Sequence, residues 1–194
     1  MTRIFTTLSL LSLGLFLAAA VLGLSIGDLY HDLDEATFQM RRVHMLTGVA
    51  AALAVVLVHS IVVTYFVGTS RWCKEVTETY RLDPGPLARS NRLKRRTFPW
   101  CVLGMLTVVV VGALGAASDP GTGRANTEAM ANVHLAAAFA GLVLVGWTYW
   151  RAWLNILDNQ AVIQEIVDAV QQIRRERGLD AETKAEQSNL AVTP

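Results

Sequence analysis

Four stretches of this chain contain no Asp, Glu, Lys or Arg: 4–27, 43–70, 97–118 and 129–150. Each reaches the roughly 20 apolar residues that carry a helix across a bilayer. Inside hydrocarbon a backbone N–H or C=O finds no water, so a crossing segment must be a helix or part of a closed barrel. Unbroken apolar runs without alternation specify helices. The spacing predicts helices over 4–27, 38–68, 98–117 and 128–157. Composition agrees with a membrane protein: the 194 residues are 53% hydrophobic and 17% charged, against about 25% charge in soluble domains. A net charge of +1 offers no basic field for nucleic acid. Two cysteines cannot build a disulfide scaffold. The first run begins with Arg3 and has small residues at 18–20, as a signal peptide does. Its apolar core exceeds the roughly 7–15 residues of such a peptide, so it is read as a retained span.

Lys and Arg in the connections predict sidedness. The connection 71–96 holds eight: Arg71, Lys74, Arg81, Arg89, Arg92, Lys94, Arg95 and Arg96. The connection 28–42 holds Arg41 and Arg42 against Asp28, Asp32, Asp34 and Glu35, and 119–127 holds only Arg124. Both termini and the basic connection are therefore expected in the cytoplasm, with the protein in the inner membrane of a bacterium. The run Lys94-Arg95-Arg96 reads as this topology signal with contact to anionic lipid.

The chain is also duplicated. Sliding it by 90 residues aligns two helical hairpins without a gap. Thr7, Leu13, Gly14 and Val21 fall on Thr97, Leu103, Gly104 and Val111, and Ala50, Val55 and Glu75 on Ala140, Val145 and Glu165. The block T-x-x-M-x-x-V-H occurs twice, as Thr37, Met40, Val43, His44 and as Thr127, Met130, Val133, His134. Hairpins of like topology make a parallel repeat about a two-fold axis along the membrane normal. The fold class is therefore all-α: a four-helix, up-down transmembrane bundle of two duplicated hairpins over 1–157. Repeat 1 covers about 4–76 and repeat 2 about 94–166, followed by a cytoplasmic helical extension over 158–178 and a mobile tail over 179–194.

His44 and His134 stand near the outer ends of helices that are diagonal neighbours. With adjacent axes about 8–10 Å apart, that diagonal is roughly 11–14 Å. Two inward imidazoles, each about 2 Å from a central metal, fill such a gap. A flat haem on the two-fold axis suits it, with Arg41, Arg42 and Arg124 at the mouth for its propionates. Small residues on the flanking helices, Ala18, Ala19, Ala20, Gly23 and Gly27 with Gly112, Ala113, Gly115, Ala116 and Ala117, leave room for a flat ligand or for close helix packing.

In His44 and His134 the chain resembles, in plan only, the membrane-integral b-type cytochromes that hold haem between histidines on opposed helices. The resemblance covers about residues 1–157. It implies haem b with both axial positions filled, which moves electrons rather than activating oxygen. It implies a quinol, a redox partner protein or a second copy of the chain as partner, and an electron carrier rather than a stand-alone enzyme. Many such proteins carry a second haem. Here His59 lies 15 residues beyond His44 but falls on Tyr149, which does not support one.

A rival reading uses the sulfurs. Met40 with His44, and Met130 with His134, are i, i+4 pairs that suit Cu(I), with Asp28, His31, Asp32 and Asp34 as an outer collection point for transport or metallochaperone work. The plain alternative is interhelical hydrogen bonding in a structural subunit. His59 reads as a packed histidine, although with Tyr65 it could border a quinone pocket. Trp100, Trp147, Tyr149, Trp150 and Trp153 read as an aromatic belt, and Pro99 as a first-turn proline. Cys73 and Cys101 read as free thiols. Apolar stripes at Trp72, Val76, Tyr80 and at 162–173 suggest extensions that pack together or on another subunit.

Overall fold

The computed structural model describes residues 1–30 and 34–179. It is an all-α four-helix bundle, and the described residues include no strand. The helices are α1 Thr2–Leu24, α2 Glu35–Tyr80, α3 Gly85–Ser118 and α4 Thr127–Glu176, with a short 3-10 turn Pro120–Thr122 before α4. All four are long and apolar enough to cross a membrane. Their apolar side chains point outward in a way water would not tolerate: Leu46 is 72% exposed, Leu53 66% and Val143 74%. Lipid satisfies those surfaces.

Three helices run beyond the apolar spans. At 1.5 Å per residue, α2 and α4 are about 70 and 75 Å long, more than twice the hydrocarbon thickness of about 30 Å. The largest difference from the sequence reading is α3. It starts at Gly85 rather than 98, so Pro99 sits well inside the helix and not in its first turn. The polar segment 85–97 carries no apolar run to announce a helix, yet its neighbours hold it as one.

The chain divides into two compact units. The first joins Met1–Tyr65 and Arg95–Ile156. Here α2 and α4 meet in the middle and α1 and α3 flank them, each touching both. His59 of α2 stacks on Tyr149 of α4, with ring centroids 4.8 Å apart. From α1, the Ser12 hydroxyl lies 2.9 Å from the Tyr149 hydroxyl and Phe5 meets the Tyr149 ring edge-on. From α3, the Thr97 hydroxyl accepts from the Asn155 amide at 2.9 Å. Tyr149 is therefore a core residue, 3% exposed, and not part of an aromatic belt. Trp147 and Trp150, at 47% and 46%, do face outward.

The second unit joins Phe66–Lys94 with the described part of Leu157–Pro194. Asn159 is its hub: its amide donates to the Thr69 hydroxyl at 3.1 Å, and its carbonyl accepts from Ser90 at 2.9 Å. Val162 and Ile166 of the α4 stripe are buried, as the pattern predicts. The α2 stripe is not. Trp72 stays 37% exposed while Ser70, Cys73 and Thr77 turn inward, because small side chains let helices approach closely. Burial pushes the Cys73 thiol above its usual range, so it is a poor nucleophile. Both cysteines are free. Arg89 and Glu165 form an ion pair between α3 and α4; both are about half exposed, so it adds little.

Candidate functional site at the loop end of the bundle

The site lies where α1 and α3 end and α2 and α4 begin. Asp34 caps α2, its carboxylate accepting from Thr37 N at 2.7 Å, and this starts the helix two and a half turns before His44. Ten residues run from the start of α2 at Glu35 to His44, and eight from the start of α4 at Thr127 to His134. The two imidazoles converge: their centroids are 6.1 Å apart and the rings nearly perpendicular. Each lies against a glycine of the neighbouring helix. A Cβ on Gly23 would stand 3.0 Å from His44 Cε1, and one on Gly115 3.1 Å from His134 Cε1.

His44 Nδ1 lies 2.9 Å from the Ala19 carbonyl, an acceptor only, so this nitrogen carries the proton. In the neutral ring Nε2 is then the acceptor. His134 Nδ1 is buried and makes no hydrogen bond, although the Val111 carbonyl faces it.

Both rings line one cavity of about 600 Å³, within the range of about 300–1,000 Å³ typical of small-molecule and cofactor sites. Its walls are mostly small or apolar, with Ala19, Ala20 and Gly23 on one side and Gly112, Gly115 and Ala116 on the other. They are among the small residues that the sequence places at this level; Ala18, Ala113 and Ala117 do not line the cavity. Asp28, Tyr30, Arg41, Asp119 and Asn132 supply the polar rim.

Of the arginine and methionine candidates Met40, Met130, Arg41, Arg42 and Arg124, the structure brings Arg41 alone to the cavity. Its Nη2 donates to Asp119 Oδ1 at 2.6 Å, with both side chains 20% exposed. Arg42 lies over the Phe38 ring, 4.6 Å from its centroid, and does not line the cavity. Arg124 is exposed and also absent from the lining. Met40 and Met130 are half-buried one turn toward the loops and do not reach the cavity wall. Met45, which the sequence reading passed over, does. Among the described residues no group of three or more His, Cys, Asp or Glu could hold a metal ion. His31 and Asp32 lie outside the described residues. Asp28 and Asp34 serve the backbone, accepting from Tyr30 N and Thr37 N.

Comparison with family models, with curated proteins and with solved structures finds no match for this chain. What the chain shares with known proteins is the architecture of a helical membrane bundle, four long apolar helices packed together.

Asp119 and Tyr30 are the rim residues that sequence reasoning missed. Asp119 caps the 3-10 turn through Gly121 N at 2.8 Å while holding Arg41. Tyr30 ties the two loops together, its hydroxyl donating to the Ser118 carbonyl at 2.8 Å. Burial raises the Tyr30 phenol above its ordinary value of 10.0, and Glu128 and Asp119 add to the shift. A raised acid is favoured neutral in the folded state. Its contribution is fully present below the unfolded value and is lost as pH rises through the folded one. Melting of the detergent-solubilised protein should therefore be flat in this respect up to about pH 10 and fall above it. Tyr30→Phe should cost about 1 kcal/mol at neutral pH and remove that alkaline step. Identical alkaline profiles for the two proteins would show that the tie carries no stability.

The other polar cluster belongs to the middle of the bundle. His59 is fully buried, its Nδ1 2.9 Å from the Val55 carbonyl and its Nε2 3.1 Å from the Thr148 hydroxyl. Gly104 lies so close that a Cβ there would stand 2.4 Å from the ring. His59 is a packed histidine with both nitrogens engaged.

Proposed function

We propose that this chain is a membrane b-type cytochrome carrying one haem between His44 and His134. The observation that carries the reading is the meeting of two repeat-related imidazoles, 6.1 Å apart, on a single cavity of about 600 Å³. Two in-line metal–nitrogen bonds of about 2 Å each, plus the depth of two imidazole rings, separate the centroids by on the order of 6 Å. Metal-ligating histidines commonly donate their second N–H to a backbone carbonyl, which fixes tautomer and orientation. His44 has that partner in Ala19, and Gly23 and Gly115 let both rings lie close to the neighbouring helices.

A haem held by two histidines supplies one-electron exchange and keeps oxygen off the iron. His44 and His134 would hold it, Arg41 stands where a propionate would lie, and the apolar walls exclude water. Since Arg41 is already engaged by Asp119, a propionate would share it or displace that carboxylate. The eight basic residues of the connection 71–96 support cytoplasmic termini under the positive-inside rule, which would put the haem toward the outer face. One haem there cannot alone span about 30 Å of hydrocarbon. The proposed role is exchange with a quinol or a partner protein on that side, or service as a subunit of a larger redox complex. The copper alternative built on Met40 and Met130 is less supported, because neither lines the cavity.

The test is the spectrum of the protein purified from membranes, reduced minus oxidised, with metal analysis. The expected result is a sharp alpha band and one iron porphyrin per chain. A colourless protein, with or without stoichiometric copper, would end the haem reading. Rapid reduction by a quinol analogue would then favour quinol exchange, and failure to reduce would favour the subunit role.

A further inference from the structure

Away from the histidines, α3 carries a feature that neither fold nor cavity uses. Residues Arg95, Phe98, Pro99, Val102, Leu103 and Leu106 line a shallow groove of about 630 Å³ on its outward face. Their spacing follows one helical face for 11 residues, a length of about 16 Å. Half the hydrocarbon thickness is about 15 Å, so the groove is as long as one lipid acyl chain reaching from the membrane surface to the midplane. Its walls are apolar except at one end, where Arg95 stands. Arg96 is beside it, and both are exposed. Helix α3 contains no Asp or Glu at all. Among the described residues, neither Arg95 nor Arg96 pairs with a carboxylate.

An exposed guanidinium at the end of an apolar track selects for a ligand with an anionic head and a hydrocarbon tail. We propose that this groove is a binding site for one anionic phospholipid, its phosphate on Arg95 and Arg96 and one acyl chain along Phe98, Val102 and Leu106. Guanidinium binds phosphate through paired N–H donors, which distinguishes this seat from the general lipid annulus. Pro99 contributes only a compact ring at the groove's middle, leaving the track open. The site is independent of any cofactor.

Native mass spectrometry of the detergent-purified protein tests it, with phosphatidylglycerol and phosphatidylcholine of identical chains as probes. The wild type should retain one phosphatidylglycerol and bind phosphatidylcholine several-fold more weakly. Arg95→Gln should weaken phosphatidylglycerol about fivefold, since each basic side chain near a surface is worth about 1 kcal/mol, and Arg95→Glu should weaken it further. Val102→Trp, at a position 53% exposed, should block the track and lose the lipid with both arginines intact. Equal retention of the two lipids, or phosphatidylglycerol binding unchanged in Arg95→Glu, would overturn the proposal. So would displacement of the lipid by millimolar inorganic phosphate, because a head-only site has no use for the track.

Discussion

Alanine at either His44 or His134 is expected to abolish the low-spin haem spectrum and cut retained haem at least about tenfold, the usual order for losing metal-site ligation. The two variants should behave alike, because the repeat gives each ring the same task from opposite sides and their centroids are only 6.1 Å apart. His59→Ala is the control. Its ring lies outside the cavity lining, so the haem spectrum should survive while the melting temperature falls from loss of the Tyr149 stack and two hydrogen bonds. Purification in the same detergent and quantification of haem per chain decide the matter. Normal low-spin haem in His44→Ala or in His134→Ala would sink the ligand assignment, whatever the wild type holds.

The largest expected effect on stability is at Gly104. Alanine there places a Cβ 2.4 Å from His59 Cε1 and Nε2. The ring cannot step aside, since Tyr149 stacks on one face and Val55 and Thr148 engage its two nitrogens. Overpacking of about 1–3 kcal/mol and a disturbed buried hydrogen bond of about 1–3 kcal/mol make a total of about 2–6 kcal/mol. Gly14 is the repeat-related glycine, and a Cβ on it would meet nothing within 4 Å. Gly14→Ala should therefore be neutral or stabilising by up to about 1 kcal/mol, as helix propensity favours alanine. Thermal melts of the two variants should move in opposite directions. A Gly104→Ala protein as stable as wild type would show that the central stack is looser than its distances imply.

That contrast marks the limit of the duplication. Gly14 and Gly104 are equivalent in the repeat, yet one faces open space and the other a histidine. The cause is the pair His59 and Tyr149, an axial position where the repeats differ in chemistry. Residues 90 apart do meet across the middle: His44 with His134 and His59 with Tyr149 in the first unit. In the second unit Thr69 bonds Asn159 in the same way. This rule was available from the offset alone, and it would have moved Tyr149 from a membrane belt into the core.

Charge-free runs of about 20 residues admit few folds, because hydrocarbon leaves the backbone no partner but itself. That physics is local, and so the sequence alone determines four helices, their all-α class, the duplicated hairpins and the convergence of two histidines at one level. Other matters depended on how far neighbouring helices are rotated and how close they come. The helical state of 85–97 is one, since its support is Asn159 and Glu165 of α4 rather than any pattern of its own. The exclusion of Met40 and Met130 from the cavity is another. The i, i+4 rule places them near the histidine face, but at their level the cavity wall is formed by Arg41 and Ala131 instead. Asp119 and Tyr30 joined the rim for the same reason: loop ends meet only after the helices have packed, and no periodicity records where they will touch.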